Sequence, residues 1–102
     1  MIDYKWLWID CEMTGLDLDS DILLEVACYV SDKSLSHISP GPSLVIQCNL
    51  ERLEAMSEWC QQTHKSTGLW DKCLSSEMTV GDVESDLITF LEEKMPKKWL
   101  QT

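Results

Sequence analysis

The sequence predicts a domain of mixed α and β structure in which the sheet comes first and the helices follow, the opening of an α/β or α+β fold. Three observations carry this. Residues 4–11, YKWLWIDC, form an aromatic and aliphatic run with little polar interruption. Ile22, Leu24, Val26, Cys28 and Val30 alternate with their neighbours, which is the period of a strand. From residue 50 onward the apolar spacing lengthens to three and four, the period of a helix. With 102 residues the chain is sized for one small domain with one core, so 1–102 is read as a single unit.

The first strand is read over 4–11, and its continuous apolarity suits a strand buried on both faces. Met13-Thr14-Gly15-Leu16-Asp17 follows, with Gly15 marking a turn. The second strand is read within 21–32, and Ser31-Asp32-Lys33-Ser34 is a hairpin candidate. A third strand is read over SLVIQC, residues 43–48. Pro40-Gly41-Pro42 just before it points to a sheet edge or a bulge, because proline cannot donate to a ladder. Leu50, Leu53, Met56 and Cys60 fit one face of a short helix. His64–Leu69 reads as a loop broken at Gly68. Thr79 or Asp82 is placed to cap a final helix. Its apolar positions are Val80, Val83, Leu87, Phe90, Leu91 and Met95, and Pro96 stops it. No internal repeat, low-complexity segment or linker interrupts this order.

Charge narrows the partners. The chain carries 18 acidic and 8 basic residues, a net charge of −10. Binding to long nucleic acid draws on many Lys and Arg contacts to phosphate. Lys97-Lys98 is the densest basic pair, so long duplexes are not expected as partners. An acidic chain still acts on phosphodiesters when bound cations neutralise its carboxylates. No apolar run reaches the ~18–20 residues of a membrane span, so no membrane partner is expected. The start, Met1-Ile2-Asp3-Tyr4, has neither a signal-peptide pattern nor an Arg-rich presequence. The expected location is cytosol or nucleus, or the mitochondrion if a leader is missing from this chain. Cys11, Cys28, Cys48, Cys60 and Cys73 form no C-x-x-C pair and are read as reduced, mostly buried small hydrophobes.

Asp10 and Glu12 close the first apolar run one residue apart. On a strand, residues i and i+2 point to one face, so both carboxylates project together and Cys11 points the other way. Two ionised carboxylates side by side repel, and water or a cation must compensate them. Carboxylate oxygens suit Mg²⁺ or Mn²⁺. In two-metal phosphodiester hydrolysis the ions sit ~3.5–4 Å apart. The D-x-E spacing alone is more often met by solvated strand-end carboxylates. The end of a central strand is nevertheless where α/β folds place their sites.

The surrounding residues carry a more specific likeness. WIDCEMTGLD, residues 8–17, closely resembles the first exonuclease motif of the oligoribonucleases, DEDD-type 3′–5′ exoribonucleases of the RNase H-like superfamily. DILLEVACYVSD (21–32) resembles that family's second strand, and GPSLVIQ (41–47) its third. MSEWCQQTHKSTGL (56–69) is similar to the segment after the third strand, and SSEMTVGDVESDLITFLEEKMPK (75–97) to the next helix. The likeness runs from residue 4 to about residue 96, nearly the whole chain.

The resemblance implies an α/β, RNase H-like exonuclease fold and metal-dependent hydrolysis of very short RNA, such as dinucleotides, to mononucleotides. It implies that Asp10 and Glu12 are the first two acidic ligands of a two-metal Mg²⁺ or Mn²⁺ site and take part in catalysis. It matches Leu16 and Trp59 to the apolar pair that wedges and stacks terminal bases, where one stacked base is worth ~1–3 kcal/mol. His64 falls where the family has a histidine near the substrate phosphate. Met13 and Thr14 belong to the turn where a backbone N–H meets the substrate's 3′ end. Each has a plainer alternative: Trp59 and Leu16 as core, His64 as a loop histidine. His37 is read as a surface residue, and Trp6, Trp8, Trp70 and Trp99 as packing or unassigned.

The same family draws two further aspartates and a general-base histidine from later motifs. This chain departs from the pattern at KKWLQT, residues 97–102, and no histidine follows His64. Asp71, Asp82 and Asp86 stand outside those motif contexts and receive no role. The expectation is therefore the N-terminal portion of the fold, with the later parallel strands missing and little or no turnover by this chain alone. Residues 4–9 then become an exposed apolar edge that invites pairing with another chain. The family's dimer contacts come largely from the missing part, so a homodimer is not carried over to this chain. The alternative is a non-catalytic chain that binds short nucleic acid or associates with a full-length subunit.

Overall fold

A computed structural model describes residues 2–95. Three antiparallel strands lead, β1 (Trp6–Met13), β2 (Leu23–Ser31) and β3 (Ile38–Val45), in the sheet order β1-β2-β3. Four helices follow, α1 (Leu50–Glu54), α2 (Glu58–Ser66), α3 (Leu69–Ser75) and α4 (Val80–Lys94). The central strand is the one whose alternation is strictest. Leu24, Val26, Cys28 and Val30 are all buried, and α3 and α4 lie against β2 and β3. The hairpin closes where expected: Asp32 N donates to His37 O at 3.2 Å and Leu35 N to Asp32 O at 3.3 Å.

The outer strand β3 begins earlier than the expected 43–48 and takes in both prolines. It is an edge, and the register against β2 slips between Ala27 and Tyr29, opposite the Pro40–Ser43 stretch. The prolines thus sit where a missing N–H does no harm. Gly41 has a packing reason: a Cβ there would lie 2.6 Å from Cys28 Sγ and 2.7 Å from Phe90 Cε2, so α4 approaches the strand backbone directly. Ile46 N still donates to Leu24 O at 2.8 Å, and the chain then leaves the sheet. Gln47 N donates to Met78 O at 2.8 Å and Cys48 N to Cys73 O at 3.1 Å.

The expected single helix over 50–60 is two helices. Ala55–Ser57 break it, and Ser57 caps α2 by accepting from Cys60 N. Gln61 Nε2 bridges the break, donating to Glu54 O at 3.0 Å and to Met56 O at 2.9 Å. Leu53 and Met56 are buried, whereas Leu50 is exposed. The expected loop at 64–69 is instead the end of α2 and the start of α3, joined through Gly68 at φ 85°. Thr79 and Asp82 both cap α4 in a reciprocal box: Asp82 N donates to Thr79 Oγ1 at 3.1 Å and Thr79 N to Asp82 Oδ2 at 2.9 Å. Val83 and Phe90 are buried along α4, Leu87, Leu91 and Met95 half-buried, and Val80 exposed. Pro96, expected to stop this helix, lies outside the described residues.

The core has three parts. Leu24, Cys48, Leu53, Met56, Leu69, Trp70 and Cys73 gather where α1 and α3 meet β2. Val26, Ile46 and Val83 form the second, and Cys28, Val30 and Phe90 the third. Trp70 is therefore core, and Lys65 Nζ sits 4.3 Å from its ring centroid. Three cysteines are buried, Cys60 is half-buried and Cys11 is exposed; all five are free.

β1 departs most from expectation. Trp6, Leu7, Trp8 and Ile9 are all exposed rather than buried on both faces. The strand pairs with β2 along one edge only among the described residues, and the helices cover the neighbouring strands. Its two tryptophans stack on each other, centroids 5.6 Å apart, and Trp8 Nε1 donates to Ser31 Oγ at 2.9 Å. An apolar edge exposed in this way is what the family resemblance implies. No helix among the described residues is long and apolar enough to cross a membrane.

Candidate functional site

Strand register fixes the acidic pair. Asp10 stands opposite Ala27 and Glu12 opposite Glu25, while Cys11 stands opposite buried Val26. Directly opposed residues share a face, so Asp10 and Glu12 lie together on the face opposite to the one that α3 and α4 cover. Both are exposed. Although Cys11 is exposed, partial desolvation of its thiol, then the adjacent Asp10 and Glu12 charges, push its pKa up. It stays protonated and is a poor nucleophile.

A register slip between Glu12 and Met13 ends the pairing and turns the chain away from the sheet. A cleft of about 930 Å³ opens there, between the end of β1 and helices α1 and α2. Glu12, Met13, Thr14, Leu16, Trp59 and His64 all line it. Asp10 does not; it lies one strand step behind Glu12. Leu16 is 99% exposed and Trp59 is 72% exposed, so neither packs as core. Met56 and Cys60 supply apolar lining between them.

His64 is buried, not a loop histidine. Its Nε2 lies 3.0 Å from Met13 O, across from the end of β1. A carbonyl only accepts, so Nε2 carries the proton and the ring ties α2 to the strand end. Thr14 is likewise buried, and both its polar groups are engaged within the chain. Its N–H donates to Ile22 O at 3.0 Å, and its hydroxyl donates to Asp21 Oδ1 at 2.7 Å. His37 is far from the cleft, at the β2–β3 hairpin, where its Nδ1 lies 2.9 Å from Asp32 Oδ2.

Three residues here carry no sequence signal that singles them out. Glu25 brings a third, half-buried carboxylate opposite Glu12. Asp21 and Arg52 meet at 3.0 Å beside Thr14. The Asp21 carboxyl is held below its ordinary value of 3.8 chiefly by the Thr14 hydroxyl, then by the Asp17 amide, with Arg52 adding to it. The sign follows: this group adds stability above pH 3.8, and the contribution is lost as pH falls through its lower folded value. The melting temperature of Asp21→Asn should accordingly fall below that of the natural chain at neutral pH. The gap should close on acidification. A gap that stays constant down to acid pH would refute the assignment.

Asp10 and Glu12 offer hard oxygen donors that fit a divalent cation. Among the described residues no grouping of three or more His, Cys, Asp or Glu could hold a metal ion.

Comparison with known proteins supplies the wider frame. The RNase_T family model, described as exonuclease, matches residues 7–99. The chain belongs to the RNase_T exonuclease family. Among the described residues, the three antiparallel strands followed by four helices are those of an α/β, RNase H-like exonuclease fold. An "Oligoribonuclease" of Xanthomonas campestris pv. campestris is 45% identical over 89 residues, covering 87% of this chain and 46% of that protein. A "Probable oligoribonuclease" of Drosophila melanogaster is 38% identical over 97 residues, covering 95% of this chain and 46% of that protein. One of the same printed name from Schizosaccharomyces pombe is 38% identical over 92 residues, 90% of this chain and 36% of that protein. The chain thus spans half or less of the length of these relatives. The family is one of exonucleases, which hydrolyse phosphodiester bonds.

Proposed function

We propose that this chain carries the first metal ligands and the base-stacking groups of an oligoribonuclease-type 3′–5′ exoribonuclease acting on very short RNA. One observation carries the reading. Leu16 and Trp59, both solvent-exposed, line one cleft together with Glu12. An aromatic face and an apolar side chain lining the same cleft suit a terminal base, and a carboxylate in that lining suits the cation that a phosphodiester needs. Asp10 and Glu12 would hold Mg²⁺ or Mn²⁺. When bound, the ion supplies charge neutralisation at the phosphate and a more acidic water. Leu16 and Trp59 orient the end of the substrate, and His64 shapes the cleft by holding Met13. The likeness to proteins named oligoribonuclease supports short RNA as the substrate class.

Turnover by the 102-residue chain alone is expected to be very low, since two carboxylates are only part of a two-metal site. The test is paired. Calorimetry with the dinucleotide pApA and Mg²⁺ should show binding, and an Mn²⁺ assay on pApA should show little mononucleotide. Efficient cleavage by the pure chain would overturn the partial-site reading. An absence of binding would overturn the cleft assignment.

The exposed row Trp6, Leu7, Trp8 and Ile9 favours a second reading, a non-catalytic chain that joins another subunit through the β1 edge. Size-exclusion chromatography with a full-length relative separates the two.

A further inference from the structure

We infer that Arg52 is a positioning residue that sets the gap between Leu16 and Trp59. The inference rests on the base-stacking reading of those two residues. Arg52 is the only arginine in the chain. It stands on α1, where Asn49 Oδ1 accepts from its backbone N–H at 2.8 Å and so fixes the helix start. Its Nη2 reaches three acceptors on the far side of the cleft. They are Thr14 Oγ1 at 2.8 Å, Asp21 Oδ1 at 3.0 Å and Ser20 O at 3.2 Å. These atoms bracket both ends of the loop that carries Leu16.

Further bonds within the loop close it at that point. Thr14 Oγ1 also accepts from Ile22 N at 3.0 Å, and Asp21 Oδ2 accepts from Asp17 N at 2.8 Å. A Cβ on Gly15 would overlap Asp21 Oδ2, so the backbone lies directly against the carboxylate. Leu16 itself has almost no packing partner, being 99% exposed, so its place is set by this backbone frame. Trp59 stands on α2, which follows α1 after the short break at Ala55–Ser57. Arg52 therefore ties α1, which leads through Ala55–Ser57 into the helix bearing Trp59, to the loop bearing Leu16. All three bonds leave the one Nη2, whose N–H directions are fixed in the guanidinium plane, whereas a lysine ammonium rotates freely.

The test uses the intact chain with pApA and Mg²⁺ as the probe. Arg52→Ala should weaken pApA binding about tenfold, the usual scale for losing hydrogen bonds from a charged group. Arg52→Lys, which keeps the charge, should fail to restore it. Asp21→Asn should give a similar loss, and the double variant little more than either alone, since both break one junction. A second readout needs no ligand. Amide exchange at Asp17 and Ile22 should accelerate in Arg52→Ala while that of core strand β2 stays slow. Full recovery by Arg52→Lys would show that charge alone matters and overturn the inference. Unchanged exchange at Asp17 and Ile22 in Arg52→Ala would overturn it too. If the natural chain binds no pApA, the base-stacking reading fails, and the exchange measurement still decides whether Arg52 holds the loop.

Discussion

Leu53→Ala is expected to lower the unfolding free energy by ~2–5 kcal/mol, the usual cost of emptying a well-packed site of this size. Domains of this class have ~5–15 kcal/mol in all, so the loss is a large share of the total and should lower the urea midpoint clearly. Leu53 has 0% exposure and belongs to the cluster of Leu24, Met56, Trp70 and Cys73. It is also the only buried residue of α1, a helix of five residues. Helices so short do not persist on local hydrogen bonds, so α1 depends on the burial of Leu53 and on the Arg52 junction. Leu53→Met, which roughly keeps the volume, should cost less than ~1.5 kcal/mol. Urea unfolding followed by tryptophan fluorescence measures both. A loss under ~0.5 kcal/mol for Leu53→Ala would place Leu53 outside the cooperative core. Because Arg52 is its neighbour on the same helix, the effect should extend to the loop at 14–22.

Local rules made much of the fold legible. The alternation of Leu24, Val26, Cys28 and Val30 names the central strand because each is packed beneath helices. Pro40 and Pro42 mark the outer edge, and Thr79 with Asp82 marks the last helix, because both signals act within a few residues. What escaped needs partners distant in sequence. The apolar run 6–9 looks buried from composition, yet burial requires a neighbour on its second edge that the described residues do not supply. Gly68 looks like the centre of a loop, but its left-handed φ of 85° lets two helices meet at a corner. The face shared by Asp10 and Glu12 follows from period two alone. The Arg52 junction does not, because its partners lie 31, 32 and 38 residues away. His64 is the intermediate case: the family likeness places it near the site, and only tertiary packing reveals its bond to Met13 O.

Trp59→Ala should reduce pApA affinity by roughly 5- to 150-fold, the equivalent of ~1–3 kcal/mol for one base stacked on an aromatic ring. The same change should leave the unfolding midpoint nearly unaltered, within ~0.5 kcal/mol, because the ring is 72% exposed and outside all three core clusters. This split between binding and stability separates a stacking residue from a packing one. Trp59→Phe keeps an aromatic face and should recover most of the affinity. Leu16→Ala supplies the other half of the test. If one base sits between the two side chains, the double variant should lose less than the sum of the single losses, with a coupling of ~0.5–3 kcal/mol. Strict additivity would mean that Leu16 and Trp59 meet different parts of the ligand. A Trp59→Ala chain that binds pApA normally but melts early would return Trp59 to the core and leave the cleft without its stacking platform.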